Sequence, residues 1–357
     1  MTHARNLDRP TIGTVARQAR CSPATVSRVI NASGPVSADA RARVERAVAE
    51  LRFRPDVHGQ SLRSRRYRAI GVVVPSYTNP VFANSLAGIE STARDAARMV
   101  FTAATDYAPE RELAIVEGLL AQRPEGLLLT VADADRCEAL DRLDRARVPY
   151  VLVHNHPADS RRHAVAVDNF GASRDITAAL IAAGHCRFAY VSGSFRTTDR
   201  GRRRFDGCVA ALAQAGLPPP ALAELDYMGS PQDHRRDLTA LLGGGETPTA
   251  LVCSNDHLAL SVAAAVRTLG FSVPDDISIA GFDGIAIARL MTPSLATVET
   301  PTQAMGAAAM QRLLRLIDGE RPAATVELFP YQLRSGGTCS AAPSDQTGGE
   351  RRRATTT

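Results

Sequence analysis

Apolar residues recur along the chain at two different periods, and the change of period divides it. From Ile12 to Leu51 the spacing is helical. Ile12, Val15, Ala16 and Ala19 make one stripe, Val26, Val29 and Ile30 a second, and Val44, Ala47, Val48 and Leu51 a third. A tight turn at Arg20-Cys21 separates the first two. Ser22 is placed to cap the second helix, with Pro23 at the first helical position, where a missing N–H costs nothing. Ser37 is placed to cap the third helix, Ala38 to Leu51. The pattern predicts a three-helix head over residues 1–53. Residues 54–68 are polar and rich in Arg, a linker within which Asp56 to Leu62 can form a short helix.

From Ala69 the texture becomes short apolar runs alternating with amphipathic stretches. Strands are predicted at 69–74, 99–104, 126–130, 150–153, 164–167, 188–191, 249–253 and 277–281. Helices are predicted at Ala83–Arg98, Glu110–Ala121, Ala172–Ala183, Arg203–Ala215 and His257–Leu269. Alternation at this spacing marks parallel α/β sheets. Two successive units fit, breaking near 154–163, where HNHPADSRRH is polar. The expected fold class is therefore α/β: a helix-turn-helix head, then a two-lobed body of parallel sheets over 69–338. Residues 339–357 lack apolar periodicity and read as a disordered tail.

Charge sharpens the picture. Residues 1–68 hold 14 Arg against 5 acidic residues, whereas 69–339 hold 25 Arg against 30. A basic head on a mildly acidic body suits a DNA-binding head, because neutralising phosphates supplies most of the non-specific affinity. Every one of the 42 basic residues is Arg. No apolar run approaches 18 residues, and MTHARNLDRP has no apolar core of a signal peptide, so a cytoplasmic chain without a membrane span is expected. The six cysteines are scattered with no C-x-x-C pair, which argues against disulfide or zinc frameworks. No nucleophile elbow, P-loop or zincin motif appears, so neither an enzyme nor a cofactor is expected.

Within TIGTVARQARCSPATVSRVIN, Thr25, Ser27, Arg28 and Asn31 are left for polar faces of the second helix. Hydroxyls and an arginine there suit phosphate oxygens and guanine edges. Further pieces are RPDVHGQSLRS followed by AIGVVVP, then NPVF (79–82), VDNFGA (167–172), RRRFDG (202–207), SNDHLALS (254–261) and VPDDISIAGFDG (273–284). In this order, from about residue 10 to about 338, the chain resembles the lactose/galactose repressor family of bacterial transcription regulators. The resemblance implies a helix-turn-helix head, a hinge helix and a body like a periplasmic sugar-binding protein. It further implies a homodimer on double-stranded, palindromic operator DNA and a small sugar-like effector. It places Pro23 and Ala24 at base-reading positions, where neither side chain donates and readout is apolar. Arg28 is then a bidentate guanine contact or a phosphate clamp, and Ser22, Thr25, Ser27 and Asn31 position the backbone. Leu62 matches the hinge leucine, a minor-groove wedge or a contact between hinge helices. The chain departs from the family's usual Gly at Arg20 and its usual hinge Ala at Gly59. It also lacks C-terminal leucine heptads, so the dimer is the expected assembly.

Ligands of open α/β sheets bind outside the carboxyl ends of the strands. Pro75, Ser76 and Phe82 follow the first strand, Asn255 and Asp256 follow TALVC, and Asp283 follows ISIAG. Phe82 can stack on a sugar or base face, and Asp256 and Asp283 can accept from hydroxyls; Asp256 can equally cap the helix that begins at 257. Arg204, where the resemblance puts a ligand-contacting arginine, can fork onto a carboxylate or paired hydroxyls, or belong to a solvated charge run. His154 stands where several family members carry a ligand-binding Asp, which points to a different ligand, including an acidic one. With His156 it offers only two metal ligands, too few for a metal site. A solute-binding protein and an α/β sugar-modifying enzyme, neither with a DNA role, are the competing readings.

Overall fold

The computed structural model describes residues 10–30, 33–53, 68–158, 161–227, 229–244, 247–323 and 325–343. The chain divides into two compact units, Met1–Tyr67 and Arg68–Thr357.

In the first unit three helices, α1 (Ile12–Gln18), α2 (Pro23–Ile30) and α3 (Ala38–Glu50), follow the apolar stripes. Thr11 caps α1 with a reciprocal box to Thr14, and Ser22 Oγ accepts from Thr25 N at 3.1 Å at the start of α2. Val15, Ala16, Ala19, Val26, Val29, Val44 and Ala47 pack together, and Phe53 joins them. Ile12 does not: it is 37% exposed, because the first turn of α1 lies beyond this small core. Arg20 takes a left-handed backbone, φ 51°, at the turn. Arg43 Nε donates to Ala19 O at 3.1 Å, satisfying the end of α1 from α3.

The second unit carries two six-stranded sheets. In chain order the strands are β1 (Ala69–Val74), β2 (Met99–Ala104), β3 (Gly126–Leu129), β4 (Tyr150–Val153), β5 (Ala164–Val167), β6 (Phe188–Ser192), β7 (Ala221–Glu224), β8 (Ala250–Cys253), β9 (Ser278–Asp283), β10 (Ala296–Glu299), β11 (Val326–Phe329) and β12 (Gln332–Arg334). The first sheet runs β11-β5-β4-β3-β1-β2 and the second β12-β10-β9-β8-β6-β7. All pairs are parallel except β10 with β12, so the expectation of purely parallel sheets needs that correction. The expected break near 154–163 is also corrected. β5 pairs with β4, and β11 returns from the far end of the chain to pair with β5. The chain therefore crosses between lobes three times, after β5, after β10 and after β11.

Several helices begin three or four residues before the apolar stripe suggests, because a polar residue caps them: Asn79 for α4 (Pro80–Asp95), Asp168 for α7 (Asn169–Ala182), Thr198 for α8 (Asp199–Gln214). In between lie α5 (Glu112–Ala121) and α6 (Glu138–Ala146); after them come α9 (Pro231–Leu242), α10 (Asp256–Thr268), α11 (Ala286–Leu290) and α12 (Thr302–Ile317). α12 lies against α4 at close range. A Cβ on Gly88 would meet Gln303 O at 2.0 Å, and one on Gly306 would meet Ser85 O at 2.1 Å. Only glycine allows that approach. The predicted disordered tail starts too early: Ser340 N donates to Ser278 Oγ at 3.1 Å and Ala342 N to Ala183 O at 2.9 Å. The hinge segment 54–67 lies outside the described residues.

Candidate nucleic-acid interface and ligand cleft

On α2 the inward positions Val26 and Val29 are buried, which leaves Ser22, Pro23, Ala24 and Arg28 exposed and Thr25 and Ser27 half-buried. Ser22 Oγ and Thr25 Oγ1 lie 2.9 Å apart and bond to each other. The exposed row Pro23, Ala24 and Arg28 thus presents two small apolar groups and one fork of donors, a combination suited to base edges. Asn31 and Leu62 lie outside the described residues.

The carboxyl ends of both sheets meet around a narrow cavity of about 40 Å³. Phe82 and His154 line it from the first lobe; Arg204, Asn255 and Asp283 line it from the second. Two of these residues hold unusual backbone. His154, just after β4, has φ 71°, and Asp283, ending β9, has φ 118°. Side chains other than glycine rarely adopt such angles, and where they persist they tend to mark binding sites.

Arg204 is fixed on every side. Nε donates to Asn169 Oδ1 at 2.7 Å, Nη1 donates to Ser254 O at 2.5 Å, and the guanidinium lies 3.6 Å over the Phe282 ring. Nη1 also stands 3.3 Å from Asp283 Oδ1, with both side chains largely buried. Burial pushes the Asp283 carboxyl up to about 6, against the pull of Arg204. His154 Nε2 bonds Ser85 Oγ at 2.8 Å, and Ser85 Oγ donates to Thr302 O at 3.2 Å, so the glycine-mediated approach of α4 and α12 also braces this histidine. Burial, with Arg200 and Arg204 nearby, lowers His154 to about 3. The ring is neutral at physiological pH and bonds as a dipole.

Asp256 and Ser76 do not line the cavity, contrary to expectation. Asp256 Oδ2 accepts from Gly284 N and Ile285 N, both at 2.8 Å, and Oδ1 accepts from Thr297 Oγ1 at 2.5 Å. Its carboxyl, pushed up to about 7 by burial and by the neighbouring Asp283, ties the turn after β9 to β10. Nor does it cap α10: Asn255 Oδ1 does, accepting from Leu258 N at 2.8 Å. Ser76 is buried and bonds within its own turn, accepting from Thr78 N at 3.1 Å. His154 and His156 take separate partners; the His156 carbonyl accepts from Arg203 Nη2 at 2.6 Å.

The structure adds residues that sequence reasoning missed. Tyr107 of the first lobe and Tyr227 of the second stack across the cleft with ring centroids 4.9 Å apart. Arg200 lines the cavity and crosses the lobes, donating from Nη1 to Val131 O at 2.9 Å. Beside it Asn155 Nδ2 donates to Asp199 Oδ2 at 2.8 Å. Tyr107 follows a predicted strand, so the rule that selected Phe82 finds it too. Tyr227 follows β7, a short edge strand with no apolar run to betray it. The described lining offers two arginines, a carboxylate, a neutral imidazole and aromatic walls, groups able to hold a polar ligand.

Two family models match the chain, the lacI family of bacterial regulatory proteins over residues 11–56 and a periplasmic binding protein-like domain over residues 177–339. The transcriptional regulator GntR of Escherichia coli K12 is 34% identical over 336 residues, 92% of this chain and 98% of that protein. The chain belongs to the LacI family. It is a DNA-binding transcriptional regulator with a helix-turn-helix head and a periplasmic-binding-protein-like body. The lac repressor dimer bound to operator and the anti-inducer ONPF superposes with a TM-score of 0.78 at 28% identity, covering 93% of this chain and 99% of that one. A LacI-family regulator from Silicibacter pomeroyi gives 0.81 at 26% identity, covering 93% and 99%. Among the described residues no helix is long and apolar enough to cross a membrane.

Proposed function

We propose that this regulator binds a palindromic operator as a homodimer in the cytoplasm, acts as a repressor, and is gated by a small sugar or sugar derivative held between its lobes. The reading rests above all on one observation: the buried pair Arg204 and Asp283 converges with His154 and Phe82 where the carboxyl ends of both sheets meet. Arg204 offers Nη2 to a carboxylate or hydroxyl, its Nε and Nη1 being held by Asn169, Ser254 and Asp283; Asp283 accepts from a hydroxyl, Asn255 offers an amide, and Phe82 gives an apolar wall. In the head, Arg28 reads or clamps the operator, Pro23 and Ala24 meet base edges, and Ser22, Thr25, Ser27 and Asn31 set the helix on the backbone. Leu62 wedges the operator centre. Residues 1–53 act as head, 54–68 as hinge and 69–338 as effector and dimer body.

Gating is linkage: the effector shifts the angle between lobes only as far as its affinity differs between the two states. The contacts of Arg200 with Val131 and of Asp199 with Asn155 bridge the lobes, so they are where such a shift registers. A solute-binding role leaves the basic head without a purpose, and a sugar-modifying role would need a second carboxylate beside Asp283, which the described lining of the cleft does not supply. A thermal-shift screen of sugars, sugar acids and nucleobases on the full chain identifies the ligand, and operator affinity is then measured with and without it. A ligand that binds in the cleft yet leaves operator affinity unchanged contradicts gating.

A further inference from the structure

His154 is held on three sides. Its backbone N donates to Val165 O at 2.8 Å from a left-handed φ of 71°. Its ring meets Phe82 edge to face, with centroids 5.7 Å apart and planes at 83°. Nε2 lies 2.8 Å from Ser85 Oγ, which in turn lies 3.2 Å from the Thr302 carbonyl. Ser85 is only 2% exposed, at the point where α4 touches α12, so this chain of contacts is shielded from solvent.

One hydroxyl proton has to serve two neighbours. If Ser85 gave it to Nε2, two oxygens without a proton between them, Oγ and Thr302 O, would face each other. Nδ1–H would then need an acceptor, and among the described residues Nδ1 has no hydrogen-bond partner. If Ser85 gives the proton to Thr302 O, Nε2 carries the ring proton and donates to Oγ, and each contact holds one proton. That arrangement leaves Nδ1 bare, on the ring of a residue that lines the cavity.

Resting on the effector reading of the cleft, we propose that Ser85 is a positioning residue: it locks His154 as an acceptor-only edge of the cleft, which selects an effector with a hydroxyl or N–H at that point and turns away an anion. The Nδ1 lone pair takes a hydrogen bond and repels a carboxylate or phosphate oxygen. Protonation would reverse that preference, but burial and the guanidiniums of Arg200 and Arg204 hold the ring neutral. An acidic group, open for this position from the sequence, therefore belongs elsewhere in the cleft, at Nη2 of Arg204. A serine that merely braced the start of α12 would impose no preference between the two ring tautomers.

The test uses the full chain with isotopically labelled histidines. Nitrogen NMR reads which ring nitrogen carries the proton at neutral pH, and the signals lost in His154→Gln identify His154. The parent should show a protonated Nε2 and a bare Nδ1, and Ser85→Ala should show a mixture of tautomers. A protonated Nδ1 in the parent, or an unchanged pattern in Ser85→Ala, overturns the proposal. D-galactose, D-ribose and cellobiose are then added as probes. A probe whose thermal shift is weakened in Asp283→Asn occupies the cleft. It should move the His154 Nδ1 signal and bind roughly two- to tenfold more weakly to Ser85→Ala, as loss of one neutral hydrogen bond implies. Acetate, which has no donor, should leave Nδ1 unmoved, and a shift with acetate overturns the selection. So does a panel in which no sugar moves Nδ1, even where Asp283→Asn shows that the cleft binds. A sugar that stabilises Asp283→Asn as much as the parent counts instead against the cleft as effector site, and leaves the tautomer result standing.

Discussion

Asp283→Asn isolates the effector contact from the frame that supports it. Asparagine keeps the shape of the side chain but removes the negative charge 3.3 Å from Arg204 Nη1. Arg204 stays in place, because Asn169 Oδ1, Ser254 O and the Phe282 ring still hold it. Stability feels two opposed changes. Leaving a buried charge with no partner costs about 3–5 kcal/mol, but here two acceptors remain. The like charge that raises the Asp256 carboxyl also disappears. The net change in folding stability should therefore be small, with a melting temperature close to that of the parent. Effector binding loses a hydrogen bond to a charged acceptor, about 1.5–3 kcal/mol, or about ten- to hundredfold in affinity. Operator affinity without effector should be unchanged, and its response to effector should shift to correspondingly higher concentrations. Calorimetry reads the first quantity and fluorescence anisotropy on operator DNA the second. An unchanged effector affinity would refute the assignment of Asp283, whatever the operator data show.

Three further outcomes are expected. Arg20→Gly should stabilise the head by up to about 1 kcal/mol, because glycine adopts the left-handed turn without a Cβ penalty; slower amide exchange in α1 and α2 reports it, and equal exchange rates contradict it. Leu62→Ala should weaken operator binding while leaving melting temperature and effector affinity unaltered, and equal operator affinity removes the wedge. Asp256 and Asp283 bind protons more tightly folded than unfolded, since both are raised from 3.8. Their contribution to stability should thus fall as pH rises from about 4 through about 7, opposed over the same range by His154, which is lowered to about 3 and contributes stability that grows as pH rises; the stability of the parent relative to Asp256→Asn should therefore decline with pH, and a difference that does not change with pH would show that the Asp256 carboxyl is not raised.

The head was legible in the sequence almost residue by residue. Its helices are short, their stripes are regular, and Ser22, Pro23 and Ser37 announce their starts. The body's strands were legible where both faces are buried, as in β1, β3 and β4, since such strands read as continuous apolar runs. Edge strands β7 and β12, largely exposed, carry no such run. Lobe membership was hidden for a topological reason: no local pattern says that β5 and β11 pair across more than 150 residues. In the cleft, Phe82, Arg204, Asn255 and Asp283 followed from position after a strand or from the family resemblance. That rule also selected Asp256, because it places a residue near the sheet edge without saying which way its carboxylate turns. Here the turn amides of Gly284 and Ile285 capture it. Tyr107, Tyr227 and Arg200 depend on contacts between lobes, which a linear reading does not contain.

The account's central claim is that the basic head carries the DNA affinity of a regulator whose body binds the ligand. The most direct measurement is the affinity of the full chain for an operator selected from random duplexes, as a function of salt, beside that of residues 68–357 alone. The account predicts tight retention by the full chain, with the logarithm of affinity falling linearly with the logarithm of salt concentration as arginines displace counterions, and no retention by the body. Equal retention by residues 68–357 would contradict it.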